Sequence, residues 1–325
     1  MVAALIAASA AVVVPAVLVS QQVERPSIVP TNQPSQARSS GDFFRFRLPI
    51  FAGHKSDPNS LNLAKPSSSS DSLLLFLPAT GERPVDYEEF LAVAHGAGFS
   101  VLGLDYWNVG RSVTKTCLAV AKCYTELQQN RFNGSDPSRF SKIDAENSVL
   151  DRLNDALDYL EKADPDGRWQ RFRAGDAIDW SHIVVAGHSQ GGGESAYISH
   201  LYPVQGVLTF SSPVETYQDV SASWMDGPGA TPPARMYGFD DIHDIYADRI
   251  IPTWAKLGMG RARSSEAVAV PTGRHTLLSS LDLGDPIQTH GRSVNDRTPR
   301  TPSGTPVFAP TWRWMLEQVT TPAPQ

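Results

Sequence analysis

Cysteine is nearly absent. The 325 residues hold two, Cys117 and Cys123. That excludes a disulfide-stapled miniature fold, and with no His or acidic pair at zinc-like spacing beside them it excludes a structural zinc site. The choice left is a local disulfide pinning a loop, which needs an oxidising compartment, or two reduced thiols; the disulfide is the expectation. No basic stripe occurs. Lys and Arg number 28 against 34 Asp and Glu, a formal net charge of −6, so nucleic acid is not an expected partner. There is no internal repeat, which argues against a solenoid or propeller. Beyond the first twenty residues no apolar run has the length of a bilayer span. The N-terminal run, Met1 to Val19, lacks the Lys or Arg that usually precedes a signal sequence. It still reads as a signal peptide over residues 1–20, with a membrane anchor as the rival. A secreted or periplasmic location follows, and no stable membrane partner beyond such an anchor.

What is present suits a large core. The hydrophobic fraction is 41 %, enough for one α/β domain of this length. Residues 21–42 are rich in Pro, Ser, Gln and Thr and read as a linker. The folded domain is expected over 43–322. Its first strand is Phe43–Leu48, at an edge. Leu73–Leu77 is a continuous apolar run, as in a strand buried on both faces. A helix over Tyr87–Gly96 and a strand over Phe99–Leu104 follow. Ile143–Ala163 is the clearest helix, with Leu150, Leu153, Leu157 and Leu160 three or four apart. Strands are then expected at His182–Ala186, Val204–Phe210, Arg235–Phe239 and Glu266–Val270, and a last helix at Trp312–Val319. The alternation predicts a three-layer α/β/α sandwich around a mostly parallel, doubly wound sheet, with ligands beyond the carboxyl ends of the strands.

The chemistry-bearing motif is Gly187-His188-Ser189-Gln190-Gly191, set between the strand ending at Ala186 and a helix beginning near Glu194. Strand, sharp turn and helix form the context of a nucleophile elbow, where glycines leave room for the neighbouring strand and helix. A serine hydroxyl needs a base. Of eight histidines, His275 is assigned that role, because it follows the strand expected at 266–270 in the chain order serine, acid, histidine. His290 is the alternative, set lower because no strand is evident just before it. The acid is sought in Gly238-Phe239-Asp240-Asp241-Ile242-His243-Asp244. Asp241 is favoured over Asp244, which suits a helix N-cap equally well, and Asp240 comes third. Glu215 or Asp219, one strand earlier, would serve in an alternative arrangement. Two amides are needed for an oxyanion, from Gln190 and from the loop Pro78-Ala79-Thr80-Gly81. Pro78 has none, so Thr80 is chosen, with Gly81 second.

From about Leu73 to Val319 the chain resembles the α/β-hydrolase superfamily. The elbow, the loop Leu77–Gly81 and the placement of His275 carry the resemblance. It departs from the commonest pattern in having Pro78-Ala79 where a His-Gly pair is usual. The resemblance implies an esterase- or lipase-like serine hydrolase acting through an acyl-enzyme on a small-molecule or lipid-like ester, with no cofactor and no metal. The gap from Ser211 to Pro233 is too short for a large cap domain. Tyr106, Trp107 and Trp224 either line an acyl site or pack in the core, and the insertion Asn108–Ser141 is long enough to cover one side of a cleft. An acyltransferase, a peptidase and a non-catalytic ligand-binding protein on the same fold are the rival readings.

Overall fold

The computed structural model of the chain describes residues 43–48, 60–110, 112–135, 137–260, 263–264 and 275–320. The signal peptide or anchor expected over 1–20, the linker over 21–42 and the strand expected at Glu266–Val270 lie outside them.

In chain order the strands are β1 (Phe44–Phe46), β2 (Asn62–Lys65), β3 (Leu73–Leu77), β4 (Ser100–Gly103), β5 (Arg173–Ala174), β6 (Ala177–Ile178), β7 (Ile183–His188), β8 (Gly206–Phe210), β9 (Thr216–Tyr217), β10 (Val220–Ser221), β11 (Met236–Asp241), β12 (Arg263–Ser264) and β13 (Thr276–Ser279). The α-helices are α1 (Glu88–Gly96), α2 (Val113–Thr116), α3 (Ala121–Asn133), α4 (Val149–Ala163), α5 (Gln190–Leu201), α6 (Ala247–Lys256), α7 (Pro286–Arg292) and α8 (Ala309–Thr320). Nine strands form one sheet in the order β1-β2-β4-β3-β7-β8-β11-β13-β12. β2 runs antiparallel to both β1 and β4, and every other neighbour is parallel.

Leu73–Leu77 forms a strand because both of its faces are covered. Leu73, Leu75 and Leu77 belong to one apolar cluster, together with Leu153, Leu157 and Leu160 of α4 and Ile198 of α5. Leu74 and Phe76 belong to the other, with Phe90 and Leu91 of α1 and Trp312 and Met315 of α8. Alternate side chains go to opposite layers, so the run needs no polar position. Replacing a leucine of this strand by alanine would cost about 2–5 kcal/mol, the usual range for a fully buried site. α4 begins at Ser148, whose hydroxyl accepts from the Asp151 amide at 3.2 Å, an N-cap ahead of the leucine stripe.

Between β8 and β11 lie only the β9–β10 hairpin and short turns, so no cap domain is inserted there. Cys117 and Cys123 are disulfide-bonded. Among the described residues no helix is long and apolar enough to cross a membrane.

Candidate active site

β7 delivers the chain to Ser189, which takes φ 50° and ψ −115° between strand and helix. A side chain in this region is strained by about 1–3 kcal/mol. The surroundings hold it there. The Ser189 amide donates to Phe210 O at 2.9 Å, and the Gly193 amide donates to Ser189 O at 3.0 Å. A Cβ at Gly187 would overlap the backbone of Gly191, and one at Gly191 would overlap the Leu77 carbonyl. The elbow can therefore close only on glycine at those two places.

The Ser189 hydroxyl meets an imidazole, that of His290: Oγ lies 2.8 Å from Nε2. The other ring nitrogen, Nδ1, lies 2.7 Å from Oδ2 of Asp244. His290 sits on α7, a short helix started by Asp285, which accepts from the amides of Ile287 and Gln288, and by Pro286 at its first position. Asp244 follows β11 and its Oδ1 accepts from the Tyr246 amide at 2.6 Å. The Tyr246 ring stands edge-on to His290, centroids 5.1 Å apart. A carboxylate at Nδ1 fixes the proton there and turns the Nε2 lone pair to the serine.

Burial pushes the Asp244 carboxyl up, but the hydrogen bond and charge of His290, then Asp240 and the Tyr246 amide, outweigh it and hold it below the ordinary carboxylate range. Asp240 goes the other way. It is completely buried, and burial, then the charge on Asp244, raise it well above the usual value. Its Oδ1 accepts from Ser211 Oγ at 2.9 Å, and its buried Oδ2 meets no donor among the described residues. Two carboxyls this close do not both ionise.

The assignment of His275 is corrected. His275 stands just before β13, at the amino end of the sheet, where its Nδ1 lies 3.1 Å from Met236 O and its ring lies 4.7 Å from that of Tyr237. The pairing places Leu277 level with His188 across β11 and β8. His275 is thus three residues back from Ser189 along the strand direction, about 10 Å, and three strands across, about 14 Å. No imidazole bridges that gap. Asp241, favoured for the acid, is likewise displaced. Its Oδ1 accepts from the His243 amide at 2.8 Å and lies 2.9 Å from His243 Nδ1, whereas Asp244 reaches His290. Glu215 is buried beside Gln128 and Trp224, with Trp224 Nε1 donating at 2.5 Å, and Asp219 lies in the turn between β9 and β10. Neither meets His290.

The loop after β3 faces the elbow. Thr80 Oγ1 donates to Gln190 Oε1 at 3.0 Å. The Ala79 amide is taken by Tyr87 Oη at 3.1 Å, that of Gly81 by Asn108 O at 3.1 Å and that of Glu82 by Ala79 O at 3.1 Å. Pro78 has no amide, so Thr80 holds the one N–H of this loop left without an intramolecular acceptor among the described residues. The Gln190 amide opens α5, where helix N–H groups lack partners. Tyr106 supports the loop from below, donating to Pro78 O at 2.7 Å. It and Trp224 are core residues, so the packing reading applies to both. The insertion Asn108–Ser141 reaches the acid side: Thr114 Oγ1 lies 3.3 Å from Tyr246 Oη, and Arg249 donates to Thr114 O at 3.2 Å.

His290 ranked second in the sequence because the strand before it, Thr276-Leu277-Leu278-Ser279, has only two apolar residues. The signal that reveals it is the pair of Leu277-Leu278 and the helix start Asp285-Pro286.

The strand order and the strand, sharp turn and helix at Ser189 are those of the α/β-hydrolase fold. No family model and no curated protein matches the sequence. Similar solved structures include an S-formylglutathione hydrolase from Agrobacterium tumefaciens, at 14 % identity over 88 % of this chain and 98 % of that one with a TM-score of 0.46. A thermostable carboxylesterase cloned from a metagenomic library is 11 % identical over 86 % of this chain and 90 % of that one, TM-score 0.44. Esterase 2 of Thermogutta terrifontis is 13 % identical over 77 % and 86 %, TM-score 0.37.

Proposed function

We propose that the chain is a serine hydrolase that cleaves carboxylic esters through an acyl-enzyme, with Ser189 as nucleophile, His290 as general base and acid, and Asp244 as the acid of the triad. One observation carries this reading: an uninterrupted string runs from Ser189 Oγ through both nitrogens of His290 to Asp244, at 2.8 and 2.7 Å.

Ser189 Oγ attacks the acyl carbonyl while His290 Nε2 takes its proton. The oxyanion accepts from the amides of Gln190 and Thr80, donors worth about 3–4 kcal/mol each in a transition state. The imidazolium, stabilised by Asp244, then protonates the leaving alcohol. Water enters, gives its proton to His290 and displaces the acyl group as acid, restoring Ser189. The substrate class is a small-molecule or lipid-like ester. A secreted or periplasmic location is supported by the Cys117–Cys123 bond, since such bonds persist in oxidising compartments.

A panel of p-nitrophenyl esters offered to the protein and to Ser189→Ala tests the proposal. Short and medium acyl esters should turn over, and the variant should lose at least about a thousandfold in kcat. An unchanged rate in the variant would sink it.

A further inference from the structure

The residue before the nucleophile is not used by the mechanism, yet it is 1 % exposed and fully engaged. His188 Nε2 lies 2.8 Å from the backbone oxygen of His290. A carbonyl only accepts, so Nε2 carries a proton and donates it. His188 Nδ1 lies 2.7 Å from Tyr87 Oη and 3.2 Å from Glu82 Oε2. Tyr87 Oη in turn accepts from the Ala79 amide at 3.1 Å and donates to Glu82. Glu82 Oε1 accepts from Asn295 Nδ2 at 3.2 Å and pairs with Arg297. Burial alone would raise the Glu82 carboxyl; His188, Tyr87 and Arg297 together bring it down to about 2.

This string joins three segments that meet nowhere in sequence: the loop 79–82 beside the elbow, the elbow itself, and the segment 290–297 that carries the base. The side-chain bond from Ser189 to His290 is doubled by a bond from the adjacent residue to the same histidine's backbone. We propose that His188, with Tyr87 and Glu82, is a positioning residue that holds the His290 backbone and the Ala79–Thr80 loop in register with Ser189, so that base and oxyanion donors are placed together. The proposal rests on the serine-hydrolase reading. It predicts a kcat effect with little change in KM, because the string touches the machinery and not the substrate. Displacements near 1 Å cost about a hundredfold in such sites.

The test compares His188→Ala, His188→Gln and Tyr87→Phe with the wild type on a p-nitrophenyl ester, alongside a fluorophosphonate labelling rate and a melting temperature. Gln keeps a donor near the position of Nε2. His188→Ala should lower kcat about a hundredfold with KM within about threefold, and His188→Gln should recover at least about tenfold of that. Tyr87→Phe, which conserves volume, should lower kcat about tenfold and guards against a His188→Ala chain that does not fold. The proposal is overturned if Tyr87→Phe and the folded His188 variants keep wild-type kcat, if KM carries the loss, or if Gln rescues nothing. A wild type that neither turns over ester nor takes the probe removes the hydrolase reading as well. A wild type that labels, a Ser189→Ala that does not and a fully active His188→Ala remove this inference alone.

Discussion

The two edges of the parallel sheet carry histidines with different partners. At the amino edge His182 Nδ1 lies 3.1 Å from the Asp71 carbonyl and His275 Nδ1 lies 3.1 Å from that of Met236. At the carboxyl edge His290 spans a hydroxyl and a carboxylate, and His188 ties two loops together. The side chains are the same; their neighbours are not. Parallel strands send their connecting loops and the first amides of the following helices to the carboxyl edge, so polar groups from distant parts of the chain converge there. At the amino edge a histidine meets backbone carbonyls. The edge a histidine occupies therefore says more about its chemistry than its distance from the serine in sequence.

Substitutions at the two edges should sharpen or break this contrast. The largest effect is expected from Ser189→Ala and His290→Ala, each losing at least about a thousandfold in kcat toward esters, while His275→Ala stays within about threefold. A dead His275→Ala beside an active His290→Ala would reverse the assignment. Next comes Asp244→Asn, which removes the carboxylate that selects the imidazole tautomer and should cost about 10³–10⁴-fold in kcat; Asp241→Asn should stay within about threefold. Cys117→Ala with Cys123→Ala opens a short loop. Chain entropy puts the loss at about 2 kcal/mol, measurable in urea unfolding.

The smallest effect is a change in pH slope. Below the elbow Glu194 is fully buried, and burial, helped by Glu215 and opposed by Arg131, lifts it to about 8. A carboxyl raised on folding stabilises below its unfolded value near 4.5 and loses that contribution as pH climbs through about 8. Glu194→Gln should therefore flatten the decline in unfolding free energy between about pH 5 and pH 8. Glu82 has the opposite sign: held down at about 2, it stabilises above about 4.5 and gives way as pH falls toward 2. Glu82→Gln should flatten only the acid side of the same curve. An unchanged slope between about pH 5 and pH 8 in Glu194→Gln would show that folding does not raise the Glu194 carboxyl.

Much of the architecture was legible because it follows from local pattern. Leu73–Leu77 has the bounds expected of it, β11 falls within two residues of its own, and α4 ends where expected but starts six residues late, at Val149. The elbow was legible for the same reason: glycine on both sides of a serine between an apolar strand and a helix leaves few geometries. The acid and the base were harder. Three aspartates in five residues at the end of β11 and just beyond it look alike in sequence, and only the structure shows which one His290 reaches. Thr276–Ser279 is too short and too polar at its ends to announce itself, so the histidine before it looked like the one after a strand.

By itself the sequence determined the layered α/β fold, the serine, the loop that faces it and the short list of acids, because each depends on residues near one another in the chain. Only the tertiary structure decided that His290 and Asp244, and not His275 and Asp241, complete the string, and that His188 and Tyr87 brace it. Those contacts join residues 46 to 102 positions apart, and they are set by strand register and by the edge of the sheet at which each loop emerges.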